Sequence, residues 1–114
     1  MNGCLFCSLV EGKIGASIVY QDDQIVAFKD VKPQAPVHVL IIPRKHIAGV
    51  PDIEPEDYVL IGQIFQVASR LAREQGIANS GFRVVVNSGA DAGQSVFHLH
   101  YHLIGGRLMS WPPG

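Results

Sequence analysis

"HLHYHLI", residues His98 to Ile104, sets three histidines at every second position of an apolar run. Side chains of an extended strand alternate between its two faces. His98, His100 and His102 therefore share one face, and Leu99, Tyr101 and Leu103 the other. Successive imidazoles stand about 6.7 Å apart along such a strand. The apolar alternates call for a packed layer beneath them, which leaves the histidines pointing away from it.

The rest of the chain supplies that layer. From Pro55 to Gln75 the apolar positions Val59, Leu60, Ile64, Val67, Ala68 and Leu71 recur at intervals of three and four. Pro55 suits a first turn and Gly76 a C-terminal cap, so one long helix of about 30 Å is expected here. Strands are expected near residues 17–21 and 24–30, around the acidic turn Asp22–Asp23, then at "VHVLIIP", "GFRVVVN" and "VFHLHYHLIG". The start, "CLFCSLVEGK", fits a short helix ending at Gly12 with Leu5, Phe6 and Leu9 on its apolar side. Pro33 and Pro36 make "KPQAP" a loop, and the tail "WPPG" is irregular.

Five strands and one long helix without repeated βαβ units describe an α+β fold, an antiparallel sheet with the helix on one face. Val37, Val39 and Ile41 of one strand and Phe82, Val84 and Val86 of another are expected beneath that helix. His38 and Asn87 then fall on the histidine-bearing face.

At 114 residues and 47% hydrophobic composition, the chain reads as one domain over 1–114, able to bury a core of its own. A net charge of -1 gives no basic surplus for a phosphate backbone, so a nucleic-acid binder is not expected. No apolar run approaches the roughly 20 residues of a membrane span, and "MNGCLF" lacks the form of a secretion signal. A cytoplasmic protein is expected. Cys4 and Cys7 are the only cysteines, too few for a disulfide framework, and suit a metal or a redox pair.

Three readings of the aligned histidines stand open on spacing alone. They are a solvated strand face, a metal-binding His-x-His, or nucleophilic and acid–base catalysis by imidazoles with an ordinary pKa of about 6.5. The loop "AGQS" adds a second feature. Gly93 permits close backbone approach, and consecutive N–H groups of Gln94 and Ser95 form a small anion nest or simply a turn.

"QSVFHLHYHLIGG" resembles the signature of the histidine triad family, His-x-His-x-His followed by two apolar residues. "VAFKDVKPQAPVHVLIIPRKHI", "VVVNSGADAGQSVFHLHYHLIGGR" and "WPPG" extend the resemblance over nearly the whole chain, towards the Hint branch of purine nucleoside phosphoramidases. It implies a homodimer of five-stranded, two-helix subunits, with the sheets joined into one of ten strands. It also implies hydrolysis of nucleotides at the α-phosphorus.

By the same resemblance His100 matches the nucleophile, His102 the histidine on the phosphate oxygens and His38 the one completing the site. Ser95 matches the hydroxyl beside the bridging atom, and Asn87 a residue on phosphate or ribose. Asp30 matches the carboxylate that accepts the ribose hydroxyls; read alone, it equally opens the "DVKPQ" turn. Phe6, Leu9, Ile14, Phe28 and Val31 match the apolar slot around a purine, Leu9 and Val31 being conservative variants of the branched residues often found there; alone, they read as core. Cys4, Cys7, His46 and His98 match the ligands of a structural zinc in bacterial members. Other expectations of the fold and motif are hydrolysis of dinucleoside polyphosphates or adenylyl sulfate, a nucleotide-binding regulatory module, and a metalloenzyme with all three triad imidazoles on one ion.

Overall fold

In a computed structural model describing residues 3–114, the chain runs α1 (Leu5–Val10), β1 (Ile18–Gln21), β2 (Ile25–Lys29), β3 (Val37–Pro43), α2 (Tyr58–Glu74), β4 (Phe82–Val86) and β5 (Tyr101–Gly105). The first two residues of the expected 1–114 domain, and of the "MNGCLF" stretch, lie outside the described residues. All strand pairs are antiparallel, in the order β1-β2-β3-β5-β4. The expected α+β architecture is present, with its five-stranded sheet and one long helix.

Local chemistry accounts for the boundaries. Asp22 Oδ1 accepts the N–H groups of Gln24 and Ile25, both at 2.8 Å, which closes the β1–β2 hairpin. Pro55–Asp57 form a 3-10 turn leading into α2, and Asp57 Oδ2 accepts the Glu54 N–H at 3.0 Å. At the other end Gly76 takes φ +77°, with Gly76 N–H on Arg73 O and Ile77 N–H on Ala72 O. That pair of bonds is a Schellman cap, and it turns Ile77 into the core.

One sheet face carries Ile25, Ala27, Val39, Ile41, Tyr101 and Leu103 against Leu60, Ile64, Val67, Ala68 and Leu71 of α2. Complete burial of side chains such as Leu71 and Leu103 stabilises the fold by about 2 kcal/mol each. The histidine-bearing face is also covered. Phe6 and Leu9 of α1 pack there on Val26, Phe28, Leu40 and Ile42, so α1 buries Phe6, Cys7 and Leu9 while Leu5 stays exposed.

Two expectations are corrected. Only Val84 of β4 packs beneath α2; Phe82 and Val86 remain 38% and 37% exposed, because β4 is the outermost strand. β5 is shorter than expected, starting at Tyr101 and not at Val96. β4 ends at Val86 opposite Tyr101, and β3, although it runs two residues further to Pro43, pairs with β5 only up to Ile41–Tyr101; the Leu99 N–H is taken instead by the Ile47 carbonyl.

A candidate active site and a thiol–imidazole cluster

Register brings the histidines together. His102 stands opposite Leu40, which puts it diagonal to His38 two residues earlier on β3. The rings meet with His38 Nε2 2.8 Å from His102 Nδ1. His100, one step before β5, lies with its ring centroid 5.2 Å from that of His102.

Proton positions follow from the fixed roles of main-chain groups. The Gln34 N–H donates to His38 Nδ1 at 3.0 Å, so that nitrogen holds a lone pair and His38 carries its proton on Nε2. His38 Nε2–H therefore donates to His102 Nδ1, and His102 in turn bears its proton on Nε2. This N–H is buried and, among the described residues, has no partner. His100 Nδ1 lies 2.8 Å from the His98 carbonyl, which can only accept; Nδ1 carries the proton and Nε2 keeps the lone pair. The site thus sets a basic nitrogen on His100 beside an N–H donor on His102.

Electrostatics agree with neutral rings. Burial, then the neighbouring His100 and His38, push His102 down to about 4, against an opposing pull from Asp30. Burial also lowers His38, although Asp30 Oδ2 lies 3.4 Å from its Nε2. That contact has ion-pair geometry, but a protonated His38 would lose the Gln34 bond, so the ring is neutral.

A cleft of about 550 Å³ opens beside the triad, with His38 behind His102 and outside its wall. His100 and His102 line it together with Ser95, whose side chain is exposed. Phe6, Leu9, Ile14, Phe28 and Val31 all line it, as does Asp30. Asp30 Oδ1 accepts the Lys32 N–H at 2.8 Å, which orients the carboxylate and leaves lone pairs free. Leu5, Gly15, Ala16, Lys29, Lys32, Leu40 and Val96 complete the wall and were not legible as site residues from sequence.

Other expected residues fall elsewhere. Asn87 stands one residue past β4, half-buried and outside this wall. Gln94 is a strut: its side chain accepts from Gly89 N–H at 3.0 Å and donates to the Ala48 and Val96 carbonyls at 2.8 and 3.2 Å. Its own N–H donates to Gly89 O, and Gly93 N–H to Ala90 O. The expected nest is therefore reduced to the Ser95 N–H. Gly93, at φ +80°, supplies the turn.

On the far side of the triad, Cys4, Cys7, His46 and His98 place one donor atom each within 4.8 Å of one another. His98 is fully buried, and its Nε2 donates to the Pro43 carbonyl at 2.7 Å, which turns an Nδ1 lone pair towards the thiols. That nitrogen lies 3.5 Å from Cys4 Sγ and from Cys7 Sγ, and His46 Nδ1 lies 3.2 Å from Cys7 Sγ. Tetrahedral zinc, with Zn–S of ~2.3 Å and Zn–N of ~2.0–2.1 Å, gives sulfur–nitrogen edges of about 3.6 Å. The donor set fits such an ion, and the Pro43 carbonyl supplies the outer partner that metal-bound histidines require.

Asp30, His38 and His102 form a second compact group, but His38 Nε2 there carries a proton and offers no lone pair. The three triad imidazoles also do not converge on one point, since His98 turns to the cysteines and His100 to its own backbone. The expectation of a single three-histidine metal centre is corrected accordingly.

Comparison with known proteins places the family and the fold. The HIT domain matches residues 11–109. A HIT-like protein of Synechocystis sp. is 50% identical over 110 residues, 96% of each chain. A solved HIT family hydrolase from Legionella pneumophila superposes with a TM-score of 0.97 at 47% identity, over 98% of this chain and all of that one. A histidine triad protein from Clostridium difficile gives 0.93 at 39% identity, over 96% of both. The chain belongs to the HIT domain family.

Proposed function

We propose that the chain is a Hint-type nucleotide hydrolase, cleaving purine nucleoside phosphoramidates at the α-phosphorus through a nucleotidyl-histidine on His100. The observation that carries this reading is a lone pair on His100 Nε2 and, on a ring whose centroid lies 5.2 Å away, a His102 Nε2–H that has no partner among the described residues. Nucleophile and oxyanion donor are what phosphoryl transfer needs within one cleft. The similar structures from Legionella pneumophila and Clostridium thermocellum are HIT family hydrolases, which supports the reaction type.

In this reading His100 Nε2 attacks phosphorus while the P–N bond to the amine breaks. Its Nδ1–H stays on the His98 carbonyl, which stabilises the positive charge the ring acquires. His102 Nε2–H donates to a non-bridging oxygen as charge builds there. The Ser95 hydroxyl relays a proton to the departing amine. Water then attacks the same phosphorus, the P–N bond to His100 breaks, and the water's protons restore Ser95 and solvent. His38 acts through His102, holding its proton on Nε2.

The purine occupies the slot of Phe6, Leu9, Ile14, Phe28 and Val31, and the ribose hydroxyls donate to Asp30. We also propose zinc as a structural ion on Cys4, Cys7, His46 and His98. It has no open position and takes no part in the chemistry. A homodimer joined along β4 is supported by the free edge of that strand and by the exposure of Phe82 and Val86; sedimentation as a monomer at micromolar concentration would contradict it. Two cysteines serving as metal ligands suit a reducing, cytoplasmic setting; among the described residues no helix is long and apolar enough to cross a membrane. Turnover of adenosine phosphoramidate against diadenosine polyphosphate tests the substrate class. Faster cleavage of the polyphosphate would move the assignment to another histidine triad branch.

A further inference from the structure

The nucleophile is carried by chain that the sheet does not hold. β5 begins at Tyr101, so Val96 to His100 lie outside every ladder. The His100 ring is nevertheless aimed by the His98 carbonyl of that same segment. Few main-chain and side-chain bonds fix the segment: His98 Nε2–H to Pro43 O at 2.7 Å, Leu99 N–H to Ile47 O at 2.6 Å, and Gln94 to Val96 O at 3.2 Å. The first ends on the last residue of β3 and the second on the stretch after it, which presents His46.

The second constraint on His100 comes from α1. Phe6 stands edge-on to its ring, centroids 5.2 Å apart at 86°, and makes a similar contact with His98 at 6.0 Å. Phe6 lies between Cys4 and Cys7 in a six-residue helix, too short to persist without tertiary support. The four thiol and imidazole donors thus join three pieces of chain: α1, the stretch after β3, and the segment before β5.

We propose that this tetrad, when it holds a divalent cation, is the positioning element of the nucleophile. It fixes the His98 carbonyl on the Nδ1 side of His100 and Phe6 against the ring face. The inference rests on the proposed reading of His100 and of the tetrad as a cation site. It adds that the metal state sets the orientation of a ring that is not itself a ligand. His98 would then serve both centres, its ring in one and its carbonyl in the other. Without the ion, α1 and the 96–100 segment loosen together while the sheet stays formed.

The experiment compares the full chain loaded with stoichiometric Zn²⁺, the chelator-stripped chain, and Cys4→Ser, in which serine keeps the helix N-cap. Two readouts independent of turnover are the exchange rate of the Leu99 amide and the ¹⁵N imidazole shifts that report the His100 tautomer. Stripping should speed Leu99 exchange by ~100-fold or more and change Tyr101–Gly105 by less than ~3-fold, as expected of local opening. The His100 signals should shift from the Nδ1–H form to an average of both tautomers. Zn²⁺ should restore both in the native chain and not in Cys4→Ser. Unchanged Leu99 exchange and His100 shifts on stripping would overturn the proposal, as would a chain that takes up no zinc. If His100 order follows the metal but no phosphoramidate is cleaved, the positioning claim stands and the functional reading falls. If cleavage is present and His100 order ignores the metal, the positioning claim falls alone.

Discussion

His38 donates its Nε2–H to His102 Nδ1 at 2.8 Å, and this one contact decides what His102 presents to the cleft. The Gln34 N–H begins the relay and the buried His102 Nε2–H ends it. Replacing His38 by alanine frees His102 to carry its proton on the wrong nitrogen. We expect kcat on adenosine phosphoramidate to fall by ~10²-fold, the lower range for a positioned proton donor, with KM little changed. His38→Gln, whose amide N–H can reach the same acceptor, should recover part of the loss. Steady-state kinetics on both variants decide this, and an unchanged kcat in His38→Ala would remove the relay.

The same neutral rings make stability depend on pH. An unfolded chain binds a proton at each histidine near 6.5, whereas folded His102 does so only at about 4. Across that window the unfolded state holds more protons, so stability rises with pH from about 4 to 6.5. The loss on acidification is complete once pH falls below the folded value. For His102 it amounts to about 2 kcal/mol after discounting its partial exposure, and His38 shifts in the same direction. Urea unfolding between pH 7 and 4 measures it, and His102→Asn should flatten the curve. Asp22 and Asp57, both held below the usual carboxylate range, act at lower pH and leave this window alone.

Asp30 is expected to govern ribose recognition. Its Oδ1 is already tied to the Lys32 N–H, so the carboxylate is oriented before substrate arrives. Asp30→Ala should raise KM for the ribonucleoside substrate by ~10-fold or more, the scale of one or two charged hydrogen bonds, and raise it less for the 2′-deoxy analogue, which keeps only the 3′-hydroxyl donor. An equal rise for both substrates would place Asp30 in the turn and not at the sugar.

Gln94 should matter for folding more than for binding. Its side chain satisfies one donor and two acceptors of the main chain in a buried position. Gln94→Ala strands those groups and should cost about 2–3 kcal/mol in denaturant unfolding, with KM changed less than kcat. A loss below about 0.5 kcal/mol, the usual size of a surface substitution, would contradict the strut.

The sequence announced more of the chemistry than of its support. Period-two alternation through residues 98–104 placed Leu99, Tyr101 and Leu103 in the core correctly, because an extended chain alternates with or without ladder bonds. For that reason it could not reveal that pairing starts only at Tyr101, which depends on β4 ending at Val86 and on Leu99 bonding to Ile47 and not to β3. β4 misled because its valines are read as buried on any central strand, whereas its edge position depends on long-range pairing. The slot residues Phe6 and Phe28, and the carboxylate of Asp30, came from family resemblance and do line the cleft. Main-chain contributors such as the Gln34 N–H and the Pro43 and His98 carbonyls leave no mark in residue identity.

The reaction proposed for this cleft passes through a covalent bond between His100 and the nucleotide. Mixing the chain with adenosine phosphoramidate labelled in its phosphate, and quenching in alkali within milliseconds, should trap about one label per site as an acid-labile phosphoramidate. Peptide mapping should locate it on His100. Normal turnover with no label at any time point, or undiminished cleavage by His100→Gly, would contradict it.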